Sequence, residues 1–265
     1  MFLGVASRRS EEFRKLLESP WKSWLESCFQ EYVKLGGSRF EVSNEEYSIH
    51  TDFHHHLTKL DSVFGSRQVQ AVPFRPDRFP GGCVVHDFCS RLEIPLAARQ
   101  IHRANEGLSL PALQLLYTYR KVWGGMEPGL QSIIRNEILC RRLLEVTGPR
   151  FRFHPRLVEP VLSPLAATIP SLEQRLGNGF CETRGEGNLG ACLENENDLL
   201  EIGTKAREWL SQATGQPRIP SGSEHHLPQL AGQMHHLFEH PSFSSRLRWH
   251  RDIFTRRIRH WLRDV

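Results

Sequence analysis

No stretch of the 265 residues approaches the ~18 consecutive apolar residues that a helix needs to cross a bilayer. The sequence therefore predicts no membrane span. The opening Met1-Phe2-Leu3-Gly4-Val5-Ala6 runs into Arg8-Arg9, with no charged region ahead of the apolar stretch, and is too short for a secretory signal. The six cysteines (Cys28, Cys83, Cys89, Cys140, Cys181 and Cys192) contain no Cys-x-x-Cys pair. In a chain this long that spacing argues against both a disulfide framework and a structural zinc site. Reduced thiols and a cytoplasmic location are the expectation. There is no internal repeat, and no glycine-rich loop followed by Lys-Ser or Lys-Thr stands near the front of the chain. A net charge of +4 is too small to argue for nucleic acid, though it suits an anionic small molecule.

What is present is ordinary for a soluble protein with a sizeable core: 39% apolar and 24% charged residues. Trp24, Leu25, Cys28, Phe29, Tyr32 and Val33 recur at helical spacing over residues 22–35, and Gly36-Gly37 stops the helix. Ser43-Asn44-Glu45-Glu46 caps a second helix ending at Gly65. Arg67 to Phe74 is the best strand candidate, with Val69, Ala71 and Pro73 alternating against polar neighbours. Gly81-Gly82 opens a helix through Asp87-Phe88 to Leu92, and Ser109-Leu110-Pro111 caps another. Further helices are expected over 128–147, 155–176, 196–213, 226–240 and 242–263, with a glycine-rich loop over 177–190.

Two motifs carry a family resemblance. The first is Lys22-Ser23-Trp24-Leu25-Glu26-Ser27-Cys28-Phe29 running to Gly36-Gly37. The second is Phe74-Arg75-Pro76-Asp77-Arg78-Phe79-Pro80-Gly81-Gly82 leading into Asp87-Phe88, with Asn105-Glu106-Gly107-Leu108-Ser109-Leu110 beyond it. In this order and spacing they resemble the bacterial sulfotransferases that use 3′-phosphoadenosine-5′-phosphosulfate (PAPS), over residues 20 to 176 and more weakly to Leu200. The resemblance implies a helix-rich α/β chain, the C-terminal portion of a three-layer α/β/α fold with an incomplete parallel sheet that contains Val69 to Val72. It also implies sulfuryl transfer from PAPS to an acceptor hydroxyl, a carbohydrate in the first instance. By resemblance Ser27 contacts the 3′-phosphate of the nucleotide, since a hydroxyl beside a guanidinium suits a dianion. Eight residues earlier, where the family places that arginine, this chain has Ser19. The family's phosphate loop and catalytic histidine or acid find no counterpart either. The expectation is a truncated or frameshifted relative with no catalytic residue of its own and doubtful PAPS binding. The alternative is a non-catalytic interaction module.

The organisation expected is a sulfotransferase-like domain over 1–214, a linker over 215–224 (Gly215 to Ser223 reads GQPRIPSGS) and a basic helical extension over 225–265. In that extension Leu247, Phe254, Ile258, Trp261 and Leu262 form an apolar stripe opposite a crowd of arginines, which reads as a terminal helix packed on its own domain with the arginines outward and, alternatively, as a surface for an anionic partner. His236-Leu237-Phe238-Glu239-His240 matches the inverted zincin pattern, in which two histidines one turn apart bind zinc. No glutamate follows Glu239 to supply a third ligand, so no catalytic metal is expected. His50 and His54 lie one turn apart, while the triplet His54-His55-His56 fans out by about 100° per residue and cannot converge on one ion. Asp87 is weighed as an acceptor-side residue and reads better as a surface acid.

Overall fold

The computed structural model describes residues 20–41, 53–74, 77–97, 101, 106–177, 192–220 and 226–241. They form ten α-helices and one very small sheet: α1 (Pro20–Lys34), α2 (Phe53–Phe64), α3 (Val84–Arg91), α4 (Leu110–Trp123), α5 (Leu130–Leu143), α6 (Pro155–Leu162), α7 (Ile169–Leu176), α8 (Glu196–Leu200), α9 (Thr204–Thr214) and α10 (His226–Glu239). The sheet pairs β1 (Arg152–Phe153) with β2 (Cys192–Leu193), two residues each and parallel. The chain is helix-rich α/β, as its sequence implies.

The described residues fall into two compact units that alternate along the chain. The first holds 20–26, 41, 53–74, 77–97, 101, 106 and 153–177; the second holds 27–40, 107–152, 192–220 and 226–241. The segment expected as a C-terminal helix over 242–263 lies outside the described residues, as does the loop from 178 to 190.

The second unit is built around α4. Every residue from Ala112 to Arg120 is buried, so this helix is enclosed on all sides. It packs against α8, α9 and α10, and α10 in turn touches α5 and α9. Its start is fixed twice over. Ser109 Oγ accepts from Ala112 N–H at 3.3 Å as an N-cap and donates to Val146 C=O at 2.5 Å, while Leu110 N–H donates to Pro149 C=O at 2.7 Å. Glycine is required at 148, because a Cβ there would meet the Pro111 ring at 2.8 Å. The stop of α1 is equally local: Gly36 has φ +109°, and a Cβ on it would lie 2.8 Å from Met126 N.

Residues 215–220 are irregular but held in place. The buried Arg207 donates from Nε to Ile202 C=O at 2.8 Å and from Nη1 to Pro220 C=O at 2.8 Å, and Gln233 Nε2 donates to Pro217 C=O at 2.8 Å.

In the first unit Trp21 is buried and stacks on Phe53, with ring centroids 5.9 Å apart, while Trp24 meets the same ring edge-on. Buried Glu26 accepts from Phe153 N–H at 3.1 Å and lies 3.7 Å from Lys22 Nζ. The helix expected over 155–176 is instead three pieces, α6, a 3₁₀ stretch over Ser163–Thr168 and α7. Pro164 and Pro170 stand at the start of the second and third pieces, where a proline costs no hydrogen bond.

The strand expected over Arg67–Phe74 does not form, and Val69 to Val72 belong to no sheet. Side chain replaces ladder there: Arg175 Nη2 donates to Ser66 C=O at 3.0 Å and to Val69 C=O at 2.5 Å, and pairs with Asp61 Oδ1 at 3.0 Å. Carbonyls occupied by a guanidinium no longer recruit a neighbouring strand.

Candidate functional site

Ser27 sits on the exposed face of α1, opposite Leu25, Phe29 and Val33, which are buried. One turn further along, Glu31 accepts from Lys34 Nζ at 2.7 Å. A phosphate arriving at Ser27 would thus meet a carboxylate whose cation is already engaged, an arrangement that disfavours a dianion. Ser19, which stands eight residues before Ser27 where the resemblance places an arginine, lies outside the described residues. Asp87 is in the first unit and is held by Arg91, with Nε–Oδ2 at 2.7 Å and Nη2–Oδ1 at 3.1 Å. That bidentate i,i+4 pair occupies the half-buried Asp87 carboxylate.

Two polar clusters in the second unit were not legible as clusters in the sequence. In the first, Tyr117 Oη donates to Glu196 Oε1 and lies 3.2 Å from Ser38 C=O, and Lys121 Nζ donates to the same carboxylate at 2.7 Å. Burial first, then the Glu196 carboxylate, push the Tyr117 phenol far above the ordinary tyrosine range. Burial raises the Glu196 carboxyl, but the Lys121 and Tyr117 hydrogen bonds more than offset it and hold it below its usual value.

In the second cluster Arg120 is 1% exposed and donates from Nη2 to Asn136 Oδ1, while Asn136 Nδ2 donates to Lys34 C=O at 2.9 Å. Among the described residues no carboxylate faces this guanidinium, and its Nε has no hydrogen-bond partner. The Tyr119 ring lies 5.1 Å from its central carbon. Burial lowers the guanidinium's affinity for its proton.

Two of the thiols are poor nucleophiles. Burial, then Glu31, pushes Cys28 up to about 11, and burial pushes Cys140 up to about 11. Tyr119 Oη lies 3.4 Å from His235 Nδ1, and burial raises that phenol too. His235 stacks on Trp123, ring centroids 3.9 Å apart and planes 9° apart. In the HLFEH motif Glu239 is taken by Arg135, Nη1 to Oε2 at 2.6 Å, which leaves it unsuited to act as a base. Among the described residues no group of three or more His, Cys, Asp or Glu side chains is placed to hold a metal ion.

The first unit presents a different feature. On α3 the residues Val84, Val85, Phe88 and Leu92 fall within an arc of about 100° at the helical period. All four are exposed, Phe88 by 58%. The polar or small residues Cys83, His86, Asp87 and Cys89 are the less exposed ones, so the helix turns its apolar side outward. α2 does the same with Leu60, Val63 and Phe64, the last 63% exposed, and neither helix has a buried residue.

No family model, curated protein or solved structure matches this chain. No helix among the described residues is long and apolar enough to cross a membrane.

Proposed function

We propose that this chain is a sulfotransferase-like protein that acts as a non-catalytic interaction module, and that the α3 face is where it binds. The observation that carries this reading is the outward apolar arc of Val84, Val85, Phe88 and Leu92. Contiguous exposed apolar surface of this kind marks interaction sites in soluble proteins. The partner chemistry follows from charge. Residues 53–97 contain five cations (Lys59, Arg67, Arg75, Arg78, Arg91) and four acids (Asp61, Asp77, Asp87, Glu93), a nearly balanced set. A segment so close to neutral has little net attraction for a polyanion or an anionic lipid surface, and two copies of it meet with little net repulsion. The occupant we assign is a second copy of the chain, packed across a two-fold axis. Sedimentation equilibrium of the full chain should give a defined dimer whose dissociation constant rises at least about tenfold in V84E/F88E. A wild-type monomer at about 100 μM, open-ended aggregation, or a dimer indifferent to those substitutions overturns the assignment.

A second reading keeps the family reaction, sulfuryl transfer from PAPS to an acceptor hydroxyl of a carbohydrate, with Ser27 on the 3′-phosphate. It is supported by the order and spacing of the motifs and by the exposure of Ser27 on α1. Against it stands the Glu31–Lys34 pair one turn away. Calorimetric titration with adenosine 3′,5′-bisphosphate separates the two. We expect no binding tighter than about 100 μM; low-micromolar binding lost in Ser27→Ala would establish the transferase reading instead.

A further inference from the structure

We propose that His236 and His240, at the C-terminal end of α10, form a two-histidine chelate for a divalent transition metal of the copper, nickel or zinc class. The residues are one helical turn apart, and their ring centroids lie 4.8 Å from each other with planes tilted by 52°. Metal–nitrogen bonds of about 2.0–2.1 Å place a ring centroid about 3.2 Å from the ion. Two centroids 4.8 Å apart then subtend about 97° at that ion. That value lies between the right angle of tetragonal copper or nickel and the tetrahedral angle of zinc, so the helix spacing already holds the pair at chelating separation. His236 is half-buried and His240 exposed, which leaves one side open for water to complete the coordination.

The neighbouring groups limit what such a site does. Glu239 lies between the two histidines in sequence but is committed to Arg135 at 2.6 Å, and His235 is stacked on Trp123 at 3.9 Å. Neither is available as a third ligand or as a base for a bound water. The site binds metal and clamps the last turn of α10; it does not hydrolyse.

The test is titration of the full chain with copper(II) at pH 7.5, followed by electron paramagnetic resonance of the one-equivalent complex. The expected spectrum has two equatorial nitrogens in the wild type and one in His236→Ala or His240→Ala, with affinity for the first equivalent falling at least about tenfold. Glu239→Gln should leave both unchanged. Far-UV circular dichroism establishes that each variant is folded, and His236→Gln with His240→Gln serves as a second pair. A wild-type complex with a single nitrogen, or first-equivalent affinity unchanged by these substitutions, overturns the proposal.

Discussion

Replacing Asn136 by alanine should cost far more than replacing the charged residue it serves. Arg120 is 1% exposed, and the described residues supply it with the Asn136 carbonyl and no carboxylate. Asn136→Ala strips that acceptor from a guanidinium that stays buried and charged. A hydrogen bond to a charged group contributes about 1.5–3 kcal/mol. The freed Lys34 carbonyl, which now accepts from Asn136 Nδ2 at 2.9 Å, adds about 1 kcal/mol. The sum is about 2.5–4 kcal/mol, a large share of the 5–15 kcal/mol that typically separates folded from unfolded chains. Arg120→Met removes the charge itself. It leaves Asn136 Oδ1 only the weak Cys140 Sγ donor at 3.9 Å, a loss of about 1–3 kcal/mol, and forfeits the contact with Tyr119, but it also cancels a desolvation penalty of several kcal/mol. The expected net change is about 1 kcal/mol or less. Urea unfolding followed by far-UV circular dichroism checks the order, with an unchanged m-value confirming that stability alone has moved. If Arg120→Met destabilises as much as Asn136→Ala, the charge has compensation that this reasoning lacks, and the account of the buried guanidinium fails.

Stability should fall on the alkaline side: Cys28 and Cys140 are both raised to about 11 from an ordinary thiol value of about 8.5, so their contribution is complete below about pH 8.5 and is lost as pH rises towards 11. The double variant Cys28→Ala/Cys140→Ala should flatten that part of the stability profile. Gly37→Ala places a methyl group on the Tyr32 ring, whose hydroxyl accepts from Arg39 N–H at 3.3 Å, and should lower stability by about 1–3 kcal/mol in the same urea assay. Arg175→Ala removes the clamp on Ser66 and Val69, and limited proteolysis should then cut residues 65–74 several-fold faster without a shift in far-UV helix content.

How much of this was legible depends on how far away the deciding partner lies. The start of α4 was readable from Ser109 and Pro111, and the end of α1 from Gly36-Gly37, because caps act over a turn or less. The break inside 155–176 was in principle readable too, since Pro164 and Pro170 mark both interruptions. The failed strand was not: alternation at Val69 and Ala71 is a local signal, and the arginine that occupies the Val69 carbonyl stands 106 residues downstream. Gln30 is another case. It looks like a misplaced polar residue among the apolar positions of α1, yet its amide accepts from Leu108 N–H at 2.9 Å and donates to Leu108 C=O at 3.2 Å, 78 residues away. The Tyr117, Lys121 and Glu196 cluster was invisible for the same reason. Ser27 was placed on a helix from sequence, and there it lies, exposed; whether it touches nucleotide is the business of the titration above.

The way α1 is held has a consequence during synthesis on the ribosome. Trp21, Leu25, Phe29 and Val33 are each exposed by 1% or less in the finished protein. Phe29 nevertheless packs on Tyr117 and Phe151, Gln30 bonds to Leu108, and Glu26 awaits the amide of Phe153. From Val33 to Phe153 is 120 residues, so at about 5–20 residues per second this apolar helix emerges roughly 6–24 s before the last of its partners. For that interval the nascent chain carries an uncovered hydrophobic segment, and it should be a client of ribosome-associated chaperones until Phe153 has emerged.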